Sequence, residues 1–352
     1  MQYRRLGNSG LSVSNLTLGT MGFGTETPED EAFAIIDAFI EAGGNMLDTA
    51  DVYGGGASEE LLGRWRSSRP ADLANRVVFA TKARFGTGKD VNDAGISRRH
   101  LDRALNTSLR RLGVEAIDLY QMHGWDPLTP VEETLTFLDA AVGAGKIHYV
   151  GLSNFTGWQL QLVLSTAKAM GLQVPVTLQQ QYSLASREIE YEVIPAALHN
   201  DIGLLPWSPL ASGFLSGKYG KGGDAGGDTR FGSGNAMFRH IGNDLFASES
   251  NWKTLEVVKQ IASEIGVTPS TVALSWVTNR PSVTSTIIGA RTMKQFEENL
   301  PAADLRLDEQ ATARLDDVSA PTPNDYPYGL FGTLQRHRYI DSSDQALREL
   351  PA

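Results

Sequence analysis

The chain has 352 residues, 41% of them hydrophobic, enough apolar material for one large α/β barrel or for two domains of ordinary size. A formal charge of -10 provides no dominant positive field, which excludes a nucleic acid or an anionic membrane surface as the main partner. There is no cysteine, hence no disulfide or thiolate metal site. The start, Met1-Gln2-Tyr3-Arg4-Arg5-Leu6, lacks a signal-peptide core and no apolar run nears the ~18 residues of a membrane span, so a soluble cytoplasmic protein is expected.

In chain order, Tyr3 to Leu6 and Leu11 to Val13 alternate around Gly7-Asn8-Ser9-Gly10, the pattern of a β-hairpin with a glycine-rich turn. Leu16 to Leu18 reads as a short strand running into Gly19-Thr20-Met21-Gly22-Phe23-Gly24. Pro28 to Ala42 follows, with Phe33, Ile36 and Ile40 at helical spacing. The unit recurs. Further strands are expected to begin near Asn45, Val77, Ile117, Ile147, Thr177, Gly203 and Thr286. Helices are expected over Ser58 to Arg66, Arg98 to Leu112, Pro130 to Ala144, Gly157 to Met170 and Glu188 to Asn200.

Eight strands alternating with helices predict a (β/α)8 TIM barrel. Only the interval from Gly203 to Thr286 is long for one βα unit. Within it, Gly217 to Gly234 reads as a mobile loop after the seventh strand, and Trp252 to Ile265 and Pro269 to Val277 read as helices. Helices at Thr292 to Leu300 and Asp308 to Ser319, then a Pro- and Tyr-rich tail over 321–352, complete a single barrel domain spanning 1–352. A doubly wound sheet is the competing architecture. Against it, Gly19, Gly22 and Gly24 are spaced as the reverse of the dinucleotide fingerprint, and the next helix starts too late for Gly24 to open it.

In a barrel the strand ends share one face, where such enzymes carry their sites. Here they deliver Asp48 and, five residues on, Tyr53; then Lys82, His123, Ser153-Asn154, Gln179-Gln180-Gln181, Trp207-Ser208 and Gly289-Ala290-Arg291. Singly, each has an ordinary explanation. Lys82 could be a solvated loop lysine, His123 a structural histidine, Ser153-Asn154 a helix cap and Trp207 plain core. None of the six histidines has a companion at metal-ligand spacing, so no metal site is expected. Their joint occurrence at successive strand ends is what points to chemistry.

At these residues the chain resembles the aldo-keto reductases, both bacterial members and the potassium channel β-subunit-like branch. The resemblance is nearly full length. It is carried by Leu47-Asp48-Thr49-Ala50-Asp51-Val52-Tyr53-Gly54, Thr81-Lys82, Gln121-Met122-His123, Gly151-Leu152-Ser153-Asn154-Phe155, Pro206-Trp207-Ser208-Pro209-Leu210 and Gly213 to Tyr219. It implies a barrel enzyme that transfers hydride between a nicotinamide cofactor and an aldehyde or ketone, with a catalytic tetrad of Asp48, Tyr53, Lys82 and His123. A phenol can protonate the oxygen that gains charge, but tyrosine's ordinary pKa of ~10 makes it a modest acid. An ammonium ~4 Å away at an effective dielectric of ~20 favours the phenolate by up to ~4 kcal/mol. Asp48 would hold Lys82 charged, and His123 would donate a hydrogen bond to the substrate oxygen.

The same matching implies the cofactor residues. Ser153, Asn154 and Gln179 would hold the nicotinamide carboxamide and Trp207 would stack on the ring, with Gly19, Thr20, Met21 and Asp48 nearby. Ser208, Pro209, Leu210, Ala211 and Gly213 would begin the loop over the pyrophosphate, with Lys218 and Arg230 on phosphates. Gly289, Arg291, Gln295, Glu298 and Asn299 would surround the adenosine end. The cations in an acidic chain favour NADPH (NADP+) over NADH, although Gln295 stands where some family members place arginine, which leaves NADH open. Tyr53, His123, Met21, Phe85 and Trp125, with the tail aromatics Tyr326, Tyr328 and Phe331, are the expected substrate wall for a small-molecule carbonyl or alcohol. The resemblance leaves open the direction of reaction, a homo-oligomer, and a non-catalytic NADPH-binding regulatory role.

Overall fold

A hairpin opens the chain: β1 (Tyr3–Arg5) pairs antiparallel with β2 (Ser12–Ser14), Tyr3 opposite Ser14. The turn between them approaches the barrel closely. Gly7 adopts φ 53°, and a Cβ there would lie 1.9 Å from the Val176 carbonyl oxygen, so only glycine fits.

The computed structural model describes residues 1–221, 231 and 236–336. Eight parallel strands form the central sheet: β3 (Leu16–Gly19), β4 (Met46–Asp48), β5 (Val78–Ala83), β6 (Ile117–Met122), β7 (Ile147–Ser153), β8 (Thr177–Gln181), β9 (Gly203–Trp207) and β10 (Thr286–Gly289). They lie in the order β10-β3-β4-β5-β6-β7-β8-β9, and a bridge from Leu204 to Val283 draws the two ends together. This is the (β/α)8 barrel.

Alternation along the strands divides the core in two. Met46, Val78, Ala80, Leu119, Val176, Leu205 and Ile287 point to the barrel axis, where Leu6 and Val13 of the hairpin join them, all buried. Leu6 and Val13 thus plug the end at which the strands begin. The opposite residues, such as Phe79, Tyr120, Leu152 and Leu178, pack outward against the helices.

Those helices are α1 (Glu29–Glu41), α2 (Ala57–Ser67), α3 (Ala71–Ala74), α4 (Arg98–Leu112), α5 (Val131–Gly143), α6 (Gly157–Met170), α7 (Val193–His199), α8 (Ala236–Ala247), α9 (Glu249–Ile265), α10 (Pro269–Thr278), α11 (Met293–Asn299) and α12 (Glu309–Val318). Their ends follow local chemistry. Ser97 caps α4 by accepting from the His100 amide, and Gly113 ends it in the left-handed conformation. Thr156 and Gln159 form a capping box on α6, and Thr268 caps α10 with Pro269 in its first turn.

One expected helix is shorter than the sequence suggests. Glu188 to Asn200 splits into a 3-10 turn, Glu188–Glu190, and α7. Pro195 lacks an N–H and is tolerated only in a first helical turn, so a helix begun at Glu188 would place it inside. Arg187 and Tyr182 also draw Glu190 aside, with Arg187 Nε 2.8 Å and Tyr182 Oη 2.6 Å from Glu190 Oε1. Two helices lie outside the sequence expectation: the four-residue α3, too short to show a period, and α8, whose Phe238, Ile241 and Leu245 are spaced as in a helix.

Two compact units divide the chain, Met1–Ser319 and Ala320–Ala352. The second contains α13 (Asp325–Tyr328) and α14 (Leu330–Arg336), and with them Tyr326, Tyr328 and Phe331. Most of the loop expected over Gly217 to Gly234 lies outside the described residues. No described helix is long and apolar enough to cross a membrane.

Candidate active site

Asp48 is the last residue of β4, in register with Gly19 of β3 and Ala80 of β5. Two positions beyond Ala80, on the same face of β5, comes Lys82, wholly buried. Its Nζ lies 2.6 Å from Asp48 Oδ1, 2.7 Å from the Thr49 carbonyl oxygen and 3.4 Å from Tyr53 Oη. The three N–H donors of the ammonium thus meet an anion, a carbonyl and a phenol. Burial alone would push the Lys82 pKa down; Asp48 and Tyr53 more than offset it, and the pKa is raised. Lys82 is therefore an ammonium at neutral pH.

The other oxygen of Asp48 is held by two amides. Gln121 Nε2 donates to Oδ2 at 3.1 Å and Gln179 Nε2 at 2.8 Å, and Gln179 also donates to Gln121 Oε1 at 3.2 Å. Gln121 lies two residues before His123, and its strand parity could have singled it out. Gln179 braces the carboxylate, a part its position alone did not suggest.

Tyr53 begins a 3-10 turn, Tyr53–Gly56, in which Gly54, Gly55 and Gly56 have φ of 59°, 67° and 108°. These left-handed conformations favour glycine strongly and fold the chain back into α2. Arg111, near the end of α4, clasps the turn: its guanidinium donates to the Asp51 and Gly55 carbonyl oxygens at 3.1 and 3.2 Å and to Glu59 Oε2 at 3.1 Å. Glu59 is fully buried and its Oε1 accepts from Thr81 Oγ1. Nothing in the sequence marked Arg111 or Glu59, because the clasp joins segments about fifty residues apart.

Beside the clasp lies Asp51, buried, with neither carboxylate oxygen in a hydrogen bond of normal geometry. Burial first, then the negative charge of Glu59, push its pKa up to about 7, against the opposing pull of Arg111 and the nearby Val52 amide.

His123 follows β6, its ring edge-on to Tyr53 with centroids 5.9 Å apart. Its Nδ1 is buried without a partner among the described residues. Burial, with Lys82 and Arg84 close by, lowers its pKa to about 2, so the imidazole is neutral. On its other side Phe85 packs edge-on at 4.7 Å. Trp125 extends this aromatic wall, meeting Phe155 and Trp158 at 5.5 Å each. Trp158 is 58% exposed at the start of α6 and offered no sequence signal beyond helix.

The residues expected around a cofactor fall in several places. Ser153 ends β7, buried, and Asn154 follows at φ 59°. Asn154 Nδ2 donates to the His123 carbonyl oxygen at 3.0 Å and its Oδ1 accepts from Trp207 Nε1 at 3.1 Å, linking the imidazole segment to the indole. After Trp207, Ser208, Ala211, Ser212 and Gly213 adopt φ of 54°, 48°, 55° and 89°. Three non-glycine residues in that region cost roughly 1–3 kcal/mol each, and such strain gathers at functional sites. Pro209 is buried, Leu210 half-buried and Lys218 exposed, its Nζ 5.1 Å from the Tyr219 ring centroid.

Around β10, Asn299 Nδ2 donates to the Gly289 carbonyl oxygen at 3.3 Å, and Gln295 Oε1 accepts from the Arg291 amide at 2.9 Å. Glu298 is exposed, 4.0 Å from Lys294. Gly19 and Met21 stand at the mouth, partly exposed, whereas Thr20 is turned into the wall: its amide and hydroxyl both bond the Asp48 carbonyl oxygen. Arg230 lies outside the described residues.

With this geometry in view, the match to known proteins is specific. A family model described as the aldo/keto reductase family covers residues 15–320, which contain the strand ends from Gly19 to Gly289 and the side chains placed around them. The chain belongs to the aldo/keto reductase family. Among aldo/keto reductase relatives, the uncharacterized oxidoreductase YrpG of Bacillus subtilis is 36% identical over 93% of this chain and 100% of its own length. A probable voltage-gated potassium channel subunit beta of Oryza sativa is 37% identical over 87% of this chain and 92% of its own. Versiconal hemiacetal acetate reductase of Aspergillus parasiticus is 31% identical over 91% and 98% respectively.

Proposed function

We propose that this aldo/keto reductase is an NADPH-dependent enzyme that reduces an aldehyde or ketone to an alcohol, with Tyr53 as the proton donor. The observation that carries the reading is the position of Lys82 Nζ, buried between Asp48 Oδ1 at 2.6 Å and Tyr53 Oη at 3.4 Å. The oxidative direction on an alcohol or sugar hydroxyl uses the same groups in reverse.

The residues suit a nicotinamide cofactor. Asn154 and Trp207 are joined and open to solvent on one side, and the strained segment after Trp207 includes Gly213, where a Cβ would lie 2.9 Å from Lys218 Nζ. Ser153, Asn154 and Gln179 would hold the carboxamide, Trp207 the ring, the Ser208 to Gly213 segment and Lys218 the phosphates, and Arg291 with Asn299 the far end. When bound, the reduced nicotinamide supplies a hydride to the carbonyl carbon.

The protein's own part is electrostatic. As charge gathers on the substrate oxygen, Tyr53 gives up its phenolic proton to it. The Lys82 ammonium stabilises the phenolate left behind, at a distance and burial where screening by water is weak. Asp48 keeps the ammonium charged and aimed, and is itself held by two amides so that it cannot swing toward the phenol. Neutral His123 can donate one N–H to the same oxygen and fix the carbonyl. Its carbonyl oxygen, tied to Asn154, couples that placement to the indole.

The test is NADPH oxidation, followed by absorbance, against a panel of aldehydes, ketones and sugar lactols, with Tyr53→Phe alongside. Turnover lost in the variant supports the reading. Turnover retained overturns Tyr53 as donor, and a higher kcat/KM with NADH overturns the cofactor preference. Tight NADPH binding with no turnover on any substrate would shift weight to a regulatory role, as the names of the channel-subunit relatives suggest.

A further inference from the structure

Arg84 stands two residues beyond Lys82, where β5 opens into the mouth of the barrel. It is half-buried. Its guanidinium lies over the Phe85 ring, 4.8 Å from the centroid, and that ring packs edge-on against His123 at 4.7 Å. Nη2 donates to the Trp125 carbonyl oxygen at 3.1 Å. A cation is thus fixed on the aromatic wall of the site, close enough to His123 to disfavour a second charge there.

Among the described residues this guanidinium makes no salt bridge, although the Asp126 carboxylate lies near enough to feel its charge. Its buried Nε meets no acceptor among them. The oxygens of Asp126 are taken up by other donors: Oδ1 accepts from the Leu128 amide at 3.0 Å, and Oδ2 from the Ile96 amide at 3.0 Å and Thr129 Oγ1 at 2.6 Å. Of the five N–H donors on this arginine, one meets an acceptor among the described residues. By contrast, Arg64, Arg69, Arg111, Arg187, Arg280 and Arg314 each meet a carboxylate within 3.1 Å. Holding a planar cation unpaired beside a hydrophobic wall suits a ligand that brings the anion with it, since such pairs are charge-assisted and can be bidentate.

We propose that Arg84 recognises an anionic oxygen group on the substrate, and that the enzyme therefore acts on carbonyl compounds bearing such a group, a carboxylate being the simplest. The inference rests on the reductase reading for the carbonyl end, which His123 and Tyr53 would hold, and assigns the other end to Arg84. With Phe85 between His123 and the guanidinium, a flat spacer between carbonyl and carboxylate suits the wall. The chain's net charge of -10 repels anions at long range, so a preference for them would have to arise locally.

The experiment compares 4-carboxybenzaldehyde with its methyl ester in the full chain with NADPH. The acid is expected to have a kcat/KM at least tenfold higher at low salt, with the ratio falling as salt is added. In Arg84→Gln the ratio should collapse toward one, and Arg84→Lys should restore part of it, which a purely structural loss would not allow. A wild-type ratio near one overturns the inference and leaves the reductase reading standing. Calorimetric titration of benzoate, with and without NADP+, separates the two. Benzoate binding weakened at least fivefold by Arg84→Gln, with neither aldehyde turned over, would support the anion site while removing the reductase reading. Equal or absent benzoate binding in both proteins would overturn the site.

Discussion

Gly56 and Arg111 occupy a single space: a Cβ at position 56 would lie 2.2 Å from Arg111 Cζ and 2.4 Å from Nη2. The turn that presents Tyr53 is thus closed by a side chain from α4 that fits only because residue 56 has none.

Gly56→Ala is therefore expected to destabilise the protein by about 2–4 kcal/mol, through the φ of 108° as well as the clash. Arg111→Met should cost about 3 kcal/mol, since it leaves buried Glu59 without its cation. Urea unfolding measures both. Turnover at saturating substrate should fall in each variant still folded at assay temperature, because Tyr53 loses its anchor.

Tyr53→Phe should lower kcat by about 10²–10⁴-fold, the range of a general acid in transition-state proton transfer. Cofactor Kd should change less than threefold. Retained turnover would contradict the role given to the phenol.

Asp48 and Lys82 form a pair that neither member survives alone. Lys82→Met leaves the Asp48 carboxylate buried with only amide donors, and Asp48→Asn leaves the ammonium facing a neutral oxygen. Each change is expected to cost about 3–5 kcal/mol. The double variant Asp48→Asn with Lys82→Met should be less unstable than the sum of the two, which a double-mutant cycle on unfolding free energies reads directly.

The pH dependence of stability should carry the mark of Asp51. Its folded pKa of about 7 lies above the ~3.9 of an unfolded aspartate, so between those values the native state binds more protons. Stability from this group is complete below pH ~4 and is lost as pH rises toward 7, by up to about 4 kcal/mol. Asp51→Asn should flatten that descent and stabilise the protein at pH 8.

His123 predicts the opposite slope. Its folded pKa of about 2 lies below the ~6.5 of free histidine, so stability falls as pH drops below ~6.5, where only the unfolded chain gains the proton. In an NMR titration from pH 8 to pH 4, the His123 ring resonances should stay fixed.

Much of this could be read from the chain itself. Strand starts at Leu16, Ile117, Ile147, Thr177, Gly203 and Thr286 coincide with the observed ones because β-branched and apolar runs ending in polar clusters are local signals. That Asp48, Tyr53, Lys82 and His123 come together was legible because each lies at or after the end of such a strand. Arg111, Glu59 and Arg84 were not, since their roles depend on what faces them across the fold. Gln121 and Gln179 show the intermediate case: their strand positions were clear, but that both amides converge on Asp48 Oδ2 depends on the closing of the barrel. Glu188 to Asn200 has the apolar spacing of one helix, but Pro195 fits only in a first turn, and the helix accordingly starts at Val193.

The hairpin at the start of the chain has a consequence for traffic. Leu6 and Val13 fill the end of the barrel at which the strands begin, and neither exposes any surface. The proposed reaction would therefore take place in a blind well, and every molecule taking part would use one doorway in both directions. Whatever settles deepest must arrive first and leave last.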